Sequence, residues 1–349
     1  MSNKKDFYGR YVKPVVSHKV FTLVCLLVGL CIVFSVWASS VGNRFLAAST
    51  FKNILASIIL SSFLTIGAGC LLISGNIDLS QSAVGAFGGM VLAAAISETG
   101  WGLPWYMGIV ISLILCAGFG ALNALLIDKF RFPAFIGTLA MSYMAQGLMR
   151  MFSAMGSDDG LAKNIAYQKP EVIKWLGTGQ VGSIPSGVII MLIFFIVYGV
   201  IIARTTFGKK VSLMGGNREA AKLAGINSRA ITYILFINSA VMGGVAGVFN
   251  TSRLGQGQLL ALQTNQFTGI TAAILGGISF GGGAGGMGGA FVGLLILNTF
   301  QIGMNSVKMN PFWINVFTGI LLLVALSIDF LTQVSSSRIT ARRRRTANA

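Results

Sequence analysis

The chain has 349 residues, of which 54% are hydrophobic and 10% are charged, and its formal net charge is +17. Soluble globular domains carry about a quarter charged residues, so this composition excludes an ordinary soluble protein. The lysines and arginines lie in short segments between apolar runs. This pattern favours a membrane topology set by cytoplasmic positive charge over a nucleic-acid partner.

The apolar runs recur along the whole chain, and each is about 17 to 25 residues long, enough to cross a hydrocarbon core of about 30 Å. They are continuous rather than alternating, which favours helices over a closed barrel. We therefore predict an all-α polytopic membrane protein. Ten transmembrane helices are expected, at 20–38, 53–73, 81–97, 105–126, 133–153, 187–203, 231–252, 266–280, 286–302 and 312–332.

Both chain termini are predicted to be cytoplasmic, which agrees with an even number of spans. A basic head at 1–19 and a basic tail at 335–349 flank a transmembrane domain at 20–334. The run at 20–38 resembles the core of a signal peptide but is longer, so we expect an uncleaved first helix. The four cysteines lie inside apolar runs without metal-ligand spacing, so we predict neither a metal site nor a disulfide.

The first interruption of the apolar pattern is "LLISGNIDLSQSAVGAFGG" at residues 71–89, where Asp78 is the only charged residue. A carboxylate in lipid costs on the order of 2.5–3.5 kcal/mol, so Asp78 should face the protein interior or water. Two roles remain open. Asp78 is either the N-cap of a helix that starts at Leu79, with Gln81 completing a capping box, or it lines a polar path for a substrate.

The polar loop at 204–230 reads "RTTFGKKVSLMGGNREAAKLAGINSRA" and is placed on the cytoplasmic side by its basic residues. Asn217 is a suitable N-cap and Gly225 a suitable stop, so we predict a short helix at 218–224. Its small apolar residues offer a surface that a partner could bind. The alternative is a solvated connector between two membrane helices.

A second interruption, "GGISFGGGAGGMGG", begins at Gly276, and seven of the nine residues at 281–289 are glycine. This density exceeds what helix packing needs, so we predict a non-helical turn. Paired broken segments in the two halves of a chain point to a transport pathway. For the glycines after the first break, we expect close helix packing instead; these are Gly85, Gly88 and Gly89.

Three of these elements resemble bacterial ABC importer permeases of the ribose-type sugar family. "EAAKLAG" matches the family's EAA-x-x-x-G pattern, "GNIDLS" is similar to GGIDLS, and "AAILGGISFGGGAG" is similar to AVVLGG-x-S-x-x-GG-x-G. They occur in the same order and cover most of the chain from about 50 to 330. The resemblance implies a bacterial inner-membrane permease subunit that pairs with a second permease chain. It further implies ATPase subunits that bind ATP and magnesium, and an extracellular solute-binding protein.

The resemblance also carries over positions. An ATPase-coupling element is implied at Gly216, Asn217, Glu219, Ala220, Ala221 and Gly225. A substrate pathway is predicted at Asn76, Asp78, Ser80, Gln81, Gly276, Gly277, Ser279 and Gly282. The family usually has glycine in place of Asn76, valine in place of Gln81, and acidic residues near Gln266.

The sequence indicates no catalysis within this subunit. It contains no G-x-x-x-x-G-K-[ST] loop for nucleotide phosphates and no cluster of histidine and cysteine, so we predict no catalytic residue, metal or cofactor of its own. A sugar importer subunit is the favoured hypothesis. The alternatives are an ABC permease for a nucleoside, a branched-chain amino acid or a furanose-like signal molecule; an ion-coupled transporter that uses Asp78; and a membrane scaffold.

Overall fold

The computed structural model describes residues 18–155, 160–262 and 265–347. The predicted basic head lies outside these residues except for its last two positions, and so do the last two residues of the predicted tail. The described chain is helical apart from four two-residue strands and the connecting loops.

Five helices form the first half of the chain. They are α1 (His18–Ser40), α2 (Ala48–Ile73), α3 (Gln81–Ile96), α4 (Trp105–Asp128) and α5 (Ala134–Met155). The non-helical residues 74–80 between α2 and α3 are called the first break. The predicted interruption at this point is confirmed.

A small irregular layer follows α5. It consists of β1 (Ile165–Ala166), α6 (Glu171–Thr178), β2 (Gln180–Val181) and β3 (Ile184–Pro185). β2 and β3 form an antiparallel hairpin. The hydroxyl of Tyr167 donates a hydrogen bond to the carbonyl of Thr251 at 2.9 Å, and burial raises the pKa of this phenol above its ordinary value. We call this end of the molecule the strand end.

The second half begins with α7 (Ser186–Arg204) and continues with α8 (Thr206–Gly216), α9 (Arg218–Leu223), α10 (Ser228–Leu254), β4 (Gln256–Gly257), α11 (Thr268–Leu275), α12 (Met287–Ser306) and α13 (Pro311–Ala347). The non-helical residues 276–286 between α11 and α12 are the second break, as predicted from their glycines. β4 pairs with β1 and so returns the chain to the strand end. No glycine or proline follows Gly319, and α13 continues without interruption through the predicted start of the tail.

Within the described residues, seven helices are long and apolar enough to cross a membrane: α1, α2, α4, α7, α10, α12 and the first part of α13. α3 is a shorter apolar helix of 16 residues, which is about 24 Å at 1.5 Å per residue. The continuous span predicted at 266–280 is wrong. The helix there has only 8 residues, because it ends at Gly276 and the next residue, Gly277, has a φ of +87°.

α10 lies at the centre of the molecule and packs against α2, α3 and α4. The approach to α3 is close: a methyl group built on Gly89 would lie 3.0 Å from the carbonyl oxygen of Gly247, and one on Gly85 would overlap the carbonyl of Gly243. The packing role predicted for the glycines of α3 is therefore confirmed. Small residues spaced four apart on facing helices allow backbones to approach in this way.

Candidate functional site

The first break is organised around the carboxylate of Asp78, which is 3% exposed. Its Oδ1 atom accepts hydrogen bonds from the backbone N–H of Ser80 at 2.8 Å and from the Ser80 hydroxyl at 2.6 Å. Its Oδ2 atom accepts a third bond from the hydroxyl of Ser239 on α10, also at 2.8 Å. A carboxylate that accepts several hydrogen bonds is stabilised without a cationic partner. The carboxylate therefore ties the break to the central helix.

Two further helices contribute to this polar cluster. The side-chain amide of Asn123 on α4 donates to the Ser80 hydroxyl at 2.8 Å, and the hydroxyl of Thr138 on α5 accepts from the Leu79 N–H at 3.1 Å. Four separate segments thus meet at the first break. Sequence reasoning had no signal for Asn123, Thr138 or Ser239, because each lies on a helix distant in sequence from Asp78.

The predicted capping arrangement at Asp78 is partly wrong. The side chain accepts the Ser80 N–H, as a capping residue does. However, α3 begins at Gln81 rather than at Leu79, and its N-cap residue is Ser80. The Gln81 side chain does not complete a capping box. Its amide nitrogen lies buried against Gly67 of α2 and has no hydrogen-bond partner among the described residues. Burying an amide nitrogen without a hydrogen-bond partner costs free energy, so Gln81 destabilises the fold at this position.

The second break is built from backbone rather than from side chains. Four of its glycines have φ between +76° and +109°, a region that disfavours other residues; they are Gly277, Gly282, Gly283 and Gly285. A methyl group on Gly276 would lie 2.5 Å from the Cα atom of Ala290, so α11 and α12 touch closely where the break begins. The Phe280 N–H donates to Asp329 Oδ2 on α13 at 2.9 Å.

The predicted pathway residues of the first break are packed inside this chain rather than lining an open path. All four are less than 9% exposed; they are Asn76, Asp78, Ser80 and Gln81. In the second break Ser279 is 8% exposed. A small cavity of about 20 Å³ lies near the start of α3, between α3, α5 and the segment before α11. Its polar lining groups are neutral: Ser82, Gln146 and Gln266.

The short helix predicted in the polar loop at 204–230 is confirmed. α9 runs from Arg218 to Leu223, and the Asn217 side chain accepts the N–H of Ala220 at 2.9 Å. Gly225 ends this region with a φ of +74°, as expected for a stop signal. Within the helix Ala221 is 3% exposed whereas Leu223 is 89% exposed. α9 is therefore anchored by one face and presents the other to solvent.

A basic groove of about 530 Å³ lies beside α9 and the loop after α4. Its charged lining residues are Asp128, Lys129, Arg131, Arg218, Glu219, Lys222 and Arg229. The carboxylate of Asp128, at the end of α4, lies 3.9 Å from Nη2 of Arg218 and 3.2 Å from Nε of Arg229. It joins both ends of the α9 region to the first half of the chain. Sequence reasoning missed Asp128, which directly precedes Lys129 in the chain.

Residues 50–326 match the family model described as "Branched-chain amino acid transport system / permease component". The ribose import permease protein of Bacillus subtilis (strain 168) is 29% identical over 291 residues, which cover 83% of this chain and 88% of that protein. The L-arabinose transport system permease protein of Escherichia coli (strain K12) is 31% identical over 304 residues, covering 87% and 89%.

A probable ABC transporter permease protein of Escherichia coli (strain K12) is 28% identical over 334 residues, covering 96% of this chain and 94% of that protein. No solved structure gives a significant match. The similarity to these permeases thus extends over both breaks and over α9.

Proposed function

We propose that the chain, which belongs to the branched-chain amino acid transport system permease family, imports a sugar or a sugar-like neutral solute. The sugar follows from the relatives named for ribose and L-arabinose. It is a multi-pass permease component of the bacterial inner membrane and is not itself an enzyme. ATP hydrolysis belongs to a separate ATPase subunit. The single observation that carries the proposal is a capped, exposed helix placed beside two broken membrane segments.

The exposed face of α9 is the proposed docking site for the ATPase. Leu223 projects almost completely into solvent, and its neighbour Lys222 lines the basic groove, so this face is open to a partner. Glu219 lies in the first turn of α9, where a negative charge is favourable. In this proposal the ATPase binds ATP and magnesium, and the permease chain needs no cofactor of its own.

We place α8 and α9 in the cytoplasm and give the chain ten crossings. β4 lies at the strand end, whereas the second break contacts the end of α8. These places are separated by the 27 residues of α10, about 40 Å. The segment from β4 to the second break must therefore cross the molecule, although the only α-helix among its described residues is the short α11. Irregular backbone at membrane depth is tolerated when it is buried in protein.

The scarcity of buried charge supports a sugar-like solute. Among the described residues, Asp78 is the only charged side chain that is buried. An amino acid carries two charges, which would need countercharges or helix termini in a low-dielectric pathway. The relatives named for ribose and L-arabinose agree with the neutral solute. A second permease chain would complete the pathway, and an extracellular binding protein would deliver the solute to the strand end.

The transport cycle in this proposal is alternating access. ATP binding closes the ATPases, their movement displaces α9, and the permease reopens toward the other side. Such coupling requires that the ATP-bound and ATP-free partners favour different permease conformations, because docking with equal affinity would shift nothing. The breaks are the segments in which a change of helix direction is least costly.

The test is Glu219→Arg in the complete transporter, reconstituted in liposomes with its ATPase and binding protein. We expect assembly to persist and solute-stimulated ATP turnover to fall about tenfold, a typical coupling effect. Glu219→Asp is the matched control, because it keeps a negative charge in the first turn of α9. Unchanged stimulation in Glu219→Arg would contradict the docking assignment.

Purification of the tagged chain from its native membrane gives an independent test. A stoichiometric ATPase that copurifies with it is expected, and mass spectrometry will show whether the partner permease is identical or different. Solute transport by the purified chain alone, driven by an ion gradient, would overturn the proposed function.

A further inference from the structure

Three chain segments that are far apart in sequence meet backbone to backbone at one point. Gly75 lies in the first break, Gly215 near the end of α8, and Gly282 and Gly283 in the second break. A methyl group on Gly282 would lie 2.8 Å from the Cα of Gly75 and 2.9 Å from the carbonyl oxygen of Gly215. We call these four residues the glycine junction.

The junction is tightly closed. The N–H of Gly283 donates a hydrogen bond to the carbonyl of Ile73, the last residue of α2, at 2.8 Å. A methyl group on Gly215 would overlap that same carbonyl and would lie 2.7 Å from the Gly283 nitrogen. A methyl group on Gly283 would lie 2.7 Å from the Cα of Gly216. The contacts are therefore made by main-chain atoms, which cannot adapt by changing a rotamer.

Gly215 of the glycine junction lies just before α9 in the chain. α8 ends at Gly216, and the next residue, Asn217, is the N-cap of α9. Two residues, Gly216 and Asn217, thus separate the proposed docking helix from Gly215, which touches both breaks. A displacement of α9 reaches both breaks through backbone contact, without an intervening side chain.

Close packing alone does not account for this arrangement. The packing glycines of α3 and α10 lie inside regular helices and join two elements. In the junction, Gly75, Gly282 and Gly283 have positive φ and lie outside helices. They bring three elements together at the sites where the two membrane segments are interrupted.

We propose that the glycine junction positions both breaks according to the state of α9, and so transmits the ATPase cycle to the membrane segments. This inference rests on the proposed function. Gly215 is the central residue, because its α-hydrogen faces Ile73 and Gly283 together. It is a positioning residue that acts through the breaks and has no contact with solute.

The decisive variant is Gly215→Ala. Gly215 is helical without positive φ, so alanine suits the helix itself. The new methyl group has to push the end of α8 away from the first break. In liposomes containing the complete transporter, we expect basal ATP turnover to stay within about twofold while the solute transported per ATP falls about tenfold. Reduced folding would instead lower ATP turnover and solute transport together and leave their ratio unchanged.

Gly286→Ala is the matched control. Gly286 lies at the end of the second break with extended backbone, and a methyl group there meets nothing within 4 Å. This variant should keep the transport ratio of the unmodified chain. An unchanged ratio in Gly215→Ala would overturn the inference while leaving the proposed function intact. Failure of the unmodified transporter to couple uptake to ATP would overturn the proposed function itself.

A second measurement compares two nucleotide states of the unmodified transporter, so it does not depend on how the glycine variants fold. Hydrogen exchange of the complete transporter should change between its ATP-bound and ATP-free states in peptides from 71–80 and from 276–286. Both changes should shrink in Glu219→Arg. Identical exchange of these peptides in the two nucleotide states would overturn the inference.

Discussion

The two breaks interrupt corresponding membrane segments, but they are held in opposite ways. The first break is short and mostly buried, and side chains from α4, α5 and α10 bind it around Asp78. The second break is longer, several of its residues are exposed, and it is shaped by four glycines with positive φ. Its bond from Phe280 to Asp329 lies at an exposed position.

This difference indicates different mechanical roles. A segment fixed by buried hydrogen bonds to several helices moves only if those bonds break, and each bond to a charged group is worth about 1.5–3 kcal/mol. A glycine-rich segment with few side-chain contacts has low local stability and changes conformation more easily. We expect the first break to act as the stiffer anchor and to move less than the second break when the glycine junction is displaced.

The largest effect on stability is expected at Asp78 in the first break, and its absence would contradict this comparison. Asp78→Ala removes the acceptor for the Ser80 and Ser239 hydroxyls and for the Ser80 N–H, so we expect the free energy of unfolding to fall by about 3 kcal/mol. Thermal unfolding of the purified chain in detergent would measure the loss. Asp78→Asn keeps one oxygen acceptor and should lose about half as much. An Asp78→Ala variant as stable as the unmodified chain would show that the carboxylate does not hold the break.

A smaller effect is expected in the second break. Gly277 has a φ of +87°, and a methyl group there meets no atom within 4 Å, so Gly277→Ala introduces backbone strain without a steric clash. The expected cost is about 1 kcal/mol in the same unfolding experiment. Gly288→Ala, in the first turn of α12 and also without contacts, is the control and should cost nothing. Equal stabilities of the two variants would contradict the strained backbone assigned to this break.

The smallest effect is expected at Asp329. Asp329→Ala removes the acceptor for the Phe280 N–H, and at an exposed position the loss should stay below about 1 kcal/mol. Hydrogen exchange should nevertheless accelerate in a peptide covering 276–286 and stay unchanged in one covering 71–80. Asp329→Asn retains an oxygen acceptor and should exchange like the unmodified chain. Acceleration in both peptides would mean that the two breaks open together rather than separately.

The local features of this fold were predictable because they depend on neighbouring residues. Long apolar runs predict the membrane helices, dense glycine predicts the second break, and Asn217 with Gly225 predicts the bounds of α9. The family resemblance was also readable from three short motifs in the correct order, and the match over 50–326 confirms it.

The contacts that organise the site were not predictable, because they join residues that are distant in sequence. Nothing near Ser239 marks it as a partner of Asp78, and nothing near Asp128 marks it as a partner of Arg229. The error at 266–280 has a similar origin. Apolar composition indicates burial, but the chain there forms a short helix and an irregular segment that other helices cover. Composition does not separate that case from a continuous helix.

The bond between Asp78 and Ser239 spans 161 residues of sequence, and this separation has a consequence for how the protein is made. A ribosome adds about 5–20 residues per second, so Ser239 is synthesised roughly 10–30 s after Asp78. During that interval the carboxylate has only the bonds from Ser80, and the glycine face of α3 has no α10 to cover it. The nascent first half must therefore wait in the membrane, incompletely packed, until the central helix is inserted.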